Sequence, residues 1–175
     1  MMRRIPLLSL ACVLLLLSVA ADAADTPRPN FTGTWELDQS RSHSIPPDMK
    51  QTMTVAHDGD KVSVELKIVN AQGERVQKDE YVLDGKEVEF TPPAPPNAPA
   101  GAPPPKGKRR GGWLPNNKGF FLEEEVQTKN PQGQDVTLLV SRKWMRWPDG
   151  TISIEVIQET PRGTFSNKRV FVKKA

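Results

Sequence analysis

Few residues of this 175-residue chain are spaced for bond-making chemistry. Its two histidines stand apart: His43 lies in the serine-rich stretch Ser40–Ser44 and His57 precedes Asp58. Neither belongs to a Ser-His-Asp order tied to a nucleophile turn. Asp58-Gly59-Asp60 is too short for a calcium loop and reads as a hairpin turn. Glu123-Glu124-Glu125 alternates across a strand, so two of the three carboxylates share a face and no acid/base pair results. Metal-ligand spacing and a phosphate-cradling glycine loop are both missing, so the chain is expected to be no enzyme and to need no metal or cofactor. The polar residues that stand out are those on apolar strand faces. Glu124 shares parity with Phe120, Leu122 and Val126, and Arg142 shares it with Val136, Leu138, Val140 and Trp144. An unpaired charge inside is costly, so two internal charges would pair with each other or with a ligand group. A bulge, or a rim position in water, is the alternative for either. Trp113 borders a proline-rich stretch and is a candidate for a portal.

The elements that must position these residues read as strands. Val62, Val64, Leu66 and Ile68 alternate with Ser63, Glu65 and Lys67, which gives one buried and one wet face. Asp58-Gly59, Asn70-Ala71-Gln72-Gly73, Asp84-Gly85, Asn130-Pro131-Gln132-Gly133, Asp149-Gly150 and Pro161-Arg162-Gly163 punctuate the chain with hairpin chemistry. No long helical period appears. With short segments at Gly33–Leu37 and near Gly112–Leu114, the count is about ten strands in ~130 ordered residues. The fold class is therefore all-β, an antiparallel up-and-down meander that most economically closes into a barrel. A two-sheet sandwich is the alternative.

Hydrophobic residues are 37% of the chain and charged ones 26%, with 17 prolines and a single cysteine, a composition for one domain without a disulfide framework. Lys and Arg number 24 against 21 Asp and Glu, too even a balance for specific nucleic-acid binding. Arg3 and Arg4, the apolar run Ile5–Val19 and the small residues of Ala21-Asp22-Ala23 form a signal-peptide pattern, with cleavage expected after Ala23. The domain is then 24–175, without cysteine and with no transmembrane segment, and is expected in a bacterial periplasm or outside the cell. Residues 91–112 hold eight prolines followed by Lys106, Lys108, Arg109 and Arg110, and are expected to be a disordered Pro-rich basic loop interrupting the barrel. Those four cations could touch an anionic envelope polymer.

Asn30-Phe31-Thr32-Gly33-Thr34-Trp35 resembles the Gly-x-Trp opening of calycins, the superfamily of lipocalins and fatty-acid-binding proteins. Asn167-Lys168-Arg169-Val170-Phe171 is similar to the Thr-Arg-x-Tyr ending of the latter. The chain also resembles secreted bacterial proteins of unknown function that open Asn-Phe-(Ser/Thr)-Gly-Thr-Trp and carry Arg-x-Trp (here Arg142-Lys143-Trp144), Asp-Gly (Asp149-Gly150) and a terminal Val-Phe-x-Lys. The resemblance implies a calycin-like β-barrel in which Gly33 bends the chain into the first strand and Trp35 plugs one end. It also implies that Arg169 holds a ligand carboxylate, with Phe171 replacing the tyrosine of that clamp, or that Arg169 or Lys168 packs over Trp35 as a cation–π contact. Asp38–Lys50, interrupted by Pro46-Pro47, has room for one short helical turn and not for a pair of lid helices. The functional expectation is an exported, non-catalytic protein holding a small apolar or amphipathic molecule through Arg169, Arg142, Glu124 and Trp113. The alternative is an envelope interaction module with a filled barrel.

Overall fold

The computed structural model describes residues 27–93, 104–115, 117–130 and 133–174; the expected leader and residues 94–103 of the proline tract lie outside them. Ten strands follow in order: β1 (Gly33–Leu37), β2 (Lys50–Asp58), β3 (Lys61–Asn70), β4 (Gly73–Val82), β5 (Val88–Phe90), β6 (Lys106–Trp113), β7 (Gly119–Lys129), β8 (Asp135–Arg146), β9 (Ile152–Thr160) and β10 (Gly163–Lys173). All pair antiparallel in one sheet of order β4-β3-β2-β1-β10-β9-β8-β7-β6-β5. The first and last strands meet, Trp35 opposite Lys173 and Leu37 opposite Phe171, so the sheet edges fall at β4 and β5 in mid-chain. The sheet curls until those edges approach. Asp84 bridges to Gly112, and Gly85 N–H donates to the Gly111 carbonyl at 2.8 Å. The all-β meander of ten strands expected from the alternation is the observed architecture, and a sandwich is not formed.

Local chemistry explains the hairpins. β2 and β3 are joined by Gly59 and Asp60 alone, and Gly59 takes φ +58°, the left-handed value that a two-residue hairpin turn needs and that glycine adopts without steric cost. Between β1 and β2 the chain makes one 3-10 turn, Gln39–Arg41, capped by the Asp38 carboxylate, which accepts from the Ser40 and Arg41 amides. That is the single short turn for which Asp38–Lys50 has room.

The core gathers at one end of the curl. Phe31, Trp35, Phe120, Ile152 and Phe171 are at most 1% exposed, and Met53, Leu122 and Trp144 pack with them. Phe31 meets Phe120 edge-on at 4.9 Å, and its carbonyl accepts a 3.0 Å hydrogen bond from Trp35 Nε1. Trp35 thus plugs this floor, as the resemblance implies. The cation over it is Arg146, 4.6 Å from the ring centroid, and neither Arg169 nor Lys168. Register decides this: Leu37 lies opposite Phe171, and Arg169 is a further turn of the pleat away from Trp35.

The basic cluster is a second correction. The loop expected over 91–112 gives way, from Lys106 onward, to β6, and the short strand expected near Gly112–Leu114 is the end of that longer element. β6 alternates Gly107, Arg109, Gly111 and Trp113 toward the inside with Lys106, Lys108 and Arg110 outside. The cluster is therefore part of the wall and is not held away from it.

Candidate functional site

The inner wall changes character along the barrel axis. On β9 the inward positions run from buried Ile152, Ile154 and Val156 to exposed Gln158, and on β10 from Phe171, 1% exposed, through half-buried Arg169 to Phe165, 58% exposed. On β7 they run from Phe120 and Leu122 to Glu124 and half-buried Val126. A dry aromatic floor therefore gives way to an open, polar upper wall. Such a wall needs a reason, since apolar side chains of similar size would serve packing as well.

Glu124 and Arg142 lie diagonally across the β7–β8 ladder, Glu124 opposite Val140 and Arg142 opposite Leu122. Arg142 Nη1 donates to Glu124 Oε2 at 2.7 Å, and Tyr81 Oη donates to Glu124 Oε1 at 3.2 Å from β4, across the seam between the sheet edges. The Glu124 side chain is 10% exposed. The two internal charges thus pair with each other, as their cost predicts, and the bulge alternative does not occur. Burial pushes the Arg142 guanidinium down, but the Glu124 carboxylate, with Tyr81 and Asp79, outweighs it and the net direction is up. Burial pushes the Tyr81 phenol up, and the Glu124 charge adds to that.

Arg109, opposite Glu124 on β6, faces the same space. It lies 4.0 Å from Asp79, with its guanidinium 5.1 Å from the Tyr81 ring and 4.8 Å from Phe90. Asp79 Oδ2 accepts from Gln77 Nε2 at 2.7 Å. A cleft of about 840 Å³ lies beside the seam, with Tyr81, Val82, Val88, Arg109 and Gly111 on its walls.

Arg169 differs from Arg142 and Arg109. Its Nε donates to Asn167 Oδ1 at 3.2 Å and its Nη1 reaches Gln51 Oε1 at 3.5 Å, both neutral amides. Among the described residues no carboxylate lies within ion-pair reach of it. Burial, followed by the charges of Arg142 and Arg75, lowers its pKa, the direction expected of a cation without a counter-ion. Gln51, 3% exposed, belongs to this site although its candidacy was not apparent in the sequence; the available signal was its parity with Met53 and Val55.

Trp113 stands apart from these three. β6 carries it to the floor, where its Nε1 donates to Asp60 Oδ1 at 2.8 Å, Arg28 stacks 4.7 Å from its ring, and His57 lies at 5.5 Å. It ties the chain before β1 to the closed end. His57 is structural as well: its Nδ1 accepts from Phe31 N–H at 3.2 Å, so Nε2 carries the proton that reaches the Gly59 carbonyl at 3.0 Å. Outside the barrel, Lys108 pairs with Glu87 at 2.9 Å and Arg110 with Glu123 at 2.6 Å. With Arg109 turned inward, Lys106 is, among the described residues, the cluster cation without a carboxylate partner.

Neither a family model nor a curated protein matches the chain. Among solved structures it is similar to a zebrafish ileal bile acid-binding protein complexed with cholic acid, at 14% identity over 82% of this chain and 98% of that one, with a TM-score of 0.46.

Proposed function

We propose that this chain is an exported, non-catalytic binding protein that holds a small amphipathic molecule in the open half of its barrel, with an anionic head on Arg169. The observation that carries this reading is the half-buried Arg169 with amide partners alone. A desolvated cation costs free energy unless an anion meets it, and a bound head group supplies that anion. The half-buried Val126, Leu138 and Val140 on the inner faces of β7 and β8 offer apolar contact for the rest of the molecule. The leader pattern in the first 23 residues is what supports the exported part of the reading. A polymer-binding role through the basic cluster is less favoured, because two of its cations already have carboxylate partners.

Calorimetric titration of wild type and Arg169→Gln with decyl sulfate and decanol, below micellar concentration, tests the reading. Wild type should bind decyl sulfate stoichiometrically. The variant should bind it roughly ten- to a hundredfold more weakly, the worth of a charged hydrogen bond of about 1.5–3 kcal/mol. Decanol should bind both alike. Equal affinity of wild type and variant for decyl sulfate, or no binding to wild type, would count against it.

A further inference from the structure

Above the floor, the inner wall carries more buried cations than one head group requires, and the carboxylates among them are placed to cancel all but one. Arg142 is neutralised by Glu124 at 2.7 Å, and Arg109 stands by Asp79 at 4.0 Å. Arg75 is exposed at the rim, where water and salt screen it. Among the described residues of the upper wall, Arg169 remains as the desolvated cation without a counter-ion; Arg146, whose buried Nη1 also has no hydrogen-bond partner, lies below at the floor over the Trp35 ring. Both Glu124 oxygens are engaged, one by Arg142 and one by Tyr81, which fixes the carboxylate in place beside the path of any guest. Its neighbours along β7, Leu122 and Val126, show that the position could have been apolar, and a buried ion pair is a poor route to stability.

We infer that Glu124 is the specificity-determining residue of the site: by holding Arg142 it limits the upper wall to one free positive charge, so the site takes monoanionic amphiphiles and turns away dianionic ones. The inference rests on the proposed role of Arg169. A second negative charge on the head would find Arg142 already occupied and would face the fixed Glu124 carboxylate in a partly dry site, where like charges repel strongly. Removing that carboxylate would release Arg142 as a second anchor.

Decyl sulfate and decyl phosphate share a tail and a tetrahedral head but differ by about one charge at pH 8, since the second phosphate pKa is about 6. Wild type should prefer decyl sulfate at least tenfold at pH 8, as read by calorimetry. In Glu124→Gln the phosphate-to-sulfate affinity ratio should rise at least tenfold, and in Glu124→Gln/Arg142→Gln it should fall back toward wild type. Should Glu124→Gln fail to fold, wild type alone is decisive. Decyl phosphate should bind it like decyl sulfate at pH 5 and at least tenfold more weakly than decyl sulfate at pH 8. An unchanged ratio in a folded Glu124→Gln, or equal binding of the two ligands by wild type at pH 8, would overturn the role of Glu124 while leaving Arg169 as the anchor. Wild type that binds neither ligand would overturn both.

Discussion

Replacing Phe31 with alanine probes whether the segment before β1 closes the barrel. Phe31 is fully buried, with its ring edge-on to Phe120 at 4.9 Å and to Trp144 at 6.2 Å. Deleting a buried phenylalanine ring costs about 3–5 kcal/mol, from lost transfer energy and the cavity left behind. The site has little freedom to collapse, because Phe31 N–H is held by His57 and its carbonyl by Trp35, and both bonds survive the substitution. For a domain of this size a loss of that order lowers Tm by roughly 10 °C or more. Phe165 is the internal control: it is also a strand-sheet phenylalanine, yet 58% exposed, and Phe165→Ala should cost less than about 1 kcal/mol. Urea unfolding followed by circular dichroism gives both values, with an unchanged denaturant slope certifying that stability alone has moved. A loss below about 1 kcal/mol for Phe31→Ala, or equal losses at the two positions, would refute the description of Phe31 as part of the plug.

Tyr81 is the sole tyrosine of the chain, so phenolate absorbance reports it alone. Its pKa is raised by burial and by Glu124, so the folded state holds its proton above the unfolded value near 10. The stability this contributes is complete below about pH 10 and declines as pH rises further. Phenolate should therefore appear together with alkaline unfolding, and a reversible titration near pH 10 in folded protein would contradict the burial. Gly119 lies against the Trp144 carbonyl so closely that an added Cβ would overlap the oxygen, and backbone cannot yield as a side-chain end can. Gly119→Ala should cost more than about 2 kcal/mol in the same urea assay, whereas Gly133→Ala meets no atom and should be limited to the modest penalty of its positive φ.

What was legible in the chain was whatever the strand period and the cost of buried charge determine together. The alternation of Val62 to Ile68 placed β3 and its buried face, and the shared parity of Glu124 and Arg142 with apolar neighbours pointed to their pairing. β6 was illegible because its inner positions before Trp113 hold no apolar side chain. The space beside Gly107 is filled by Phe90 and Pro92, and that beside Gly111 by Leu83 and Leu122, all from other parts of the chain. A strand whose hydrophobic face is supplied by its neighbours leaves no period of its own. The cation over Trp35 was misplaced for a related reason: parity says which face a residue takes, but register across strands says at which height, and register brought Arg146 and not Arg169 to the floor. Trp113 followed the same rule, carried from the proline tract to the closed end by the length of β6.

The central claim is that Arg169 receives the guest's anionic head. Its side-chain Nε–H resonance, assigned by comparison with Arg169→Lys, can be followed in ¹⁵N-labelled protein during titration with decyl sulfate. A saturable, stoichiometric shift of that resonance, accompanied by Gln51 and Asn167 amide shifts, is the predicted result. Saturable binding that leaves the Arg169 resonance in place and instead moves outer-face residues such as Lys108 and Arg110 would contradict it.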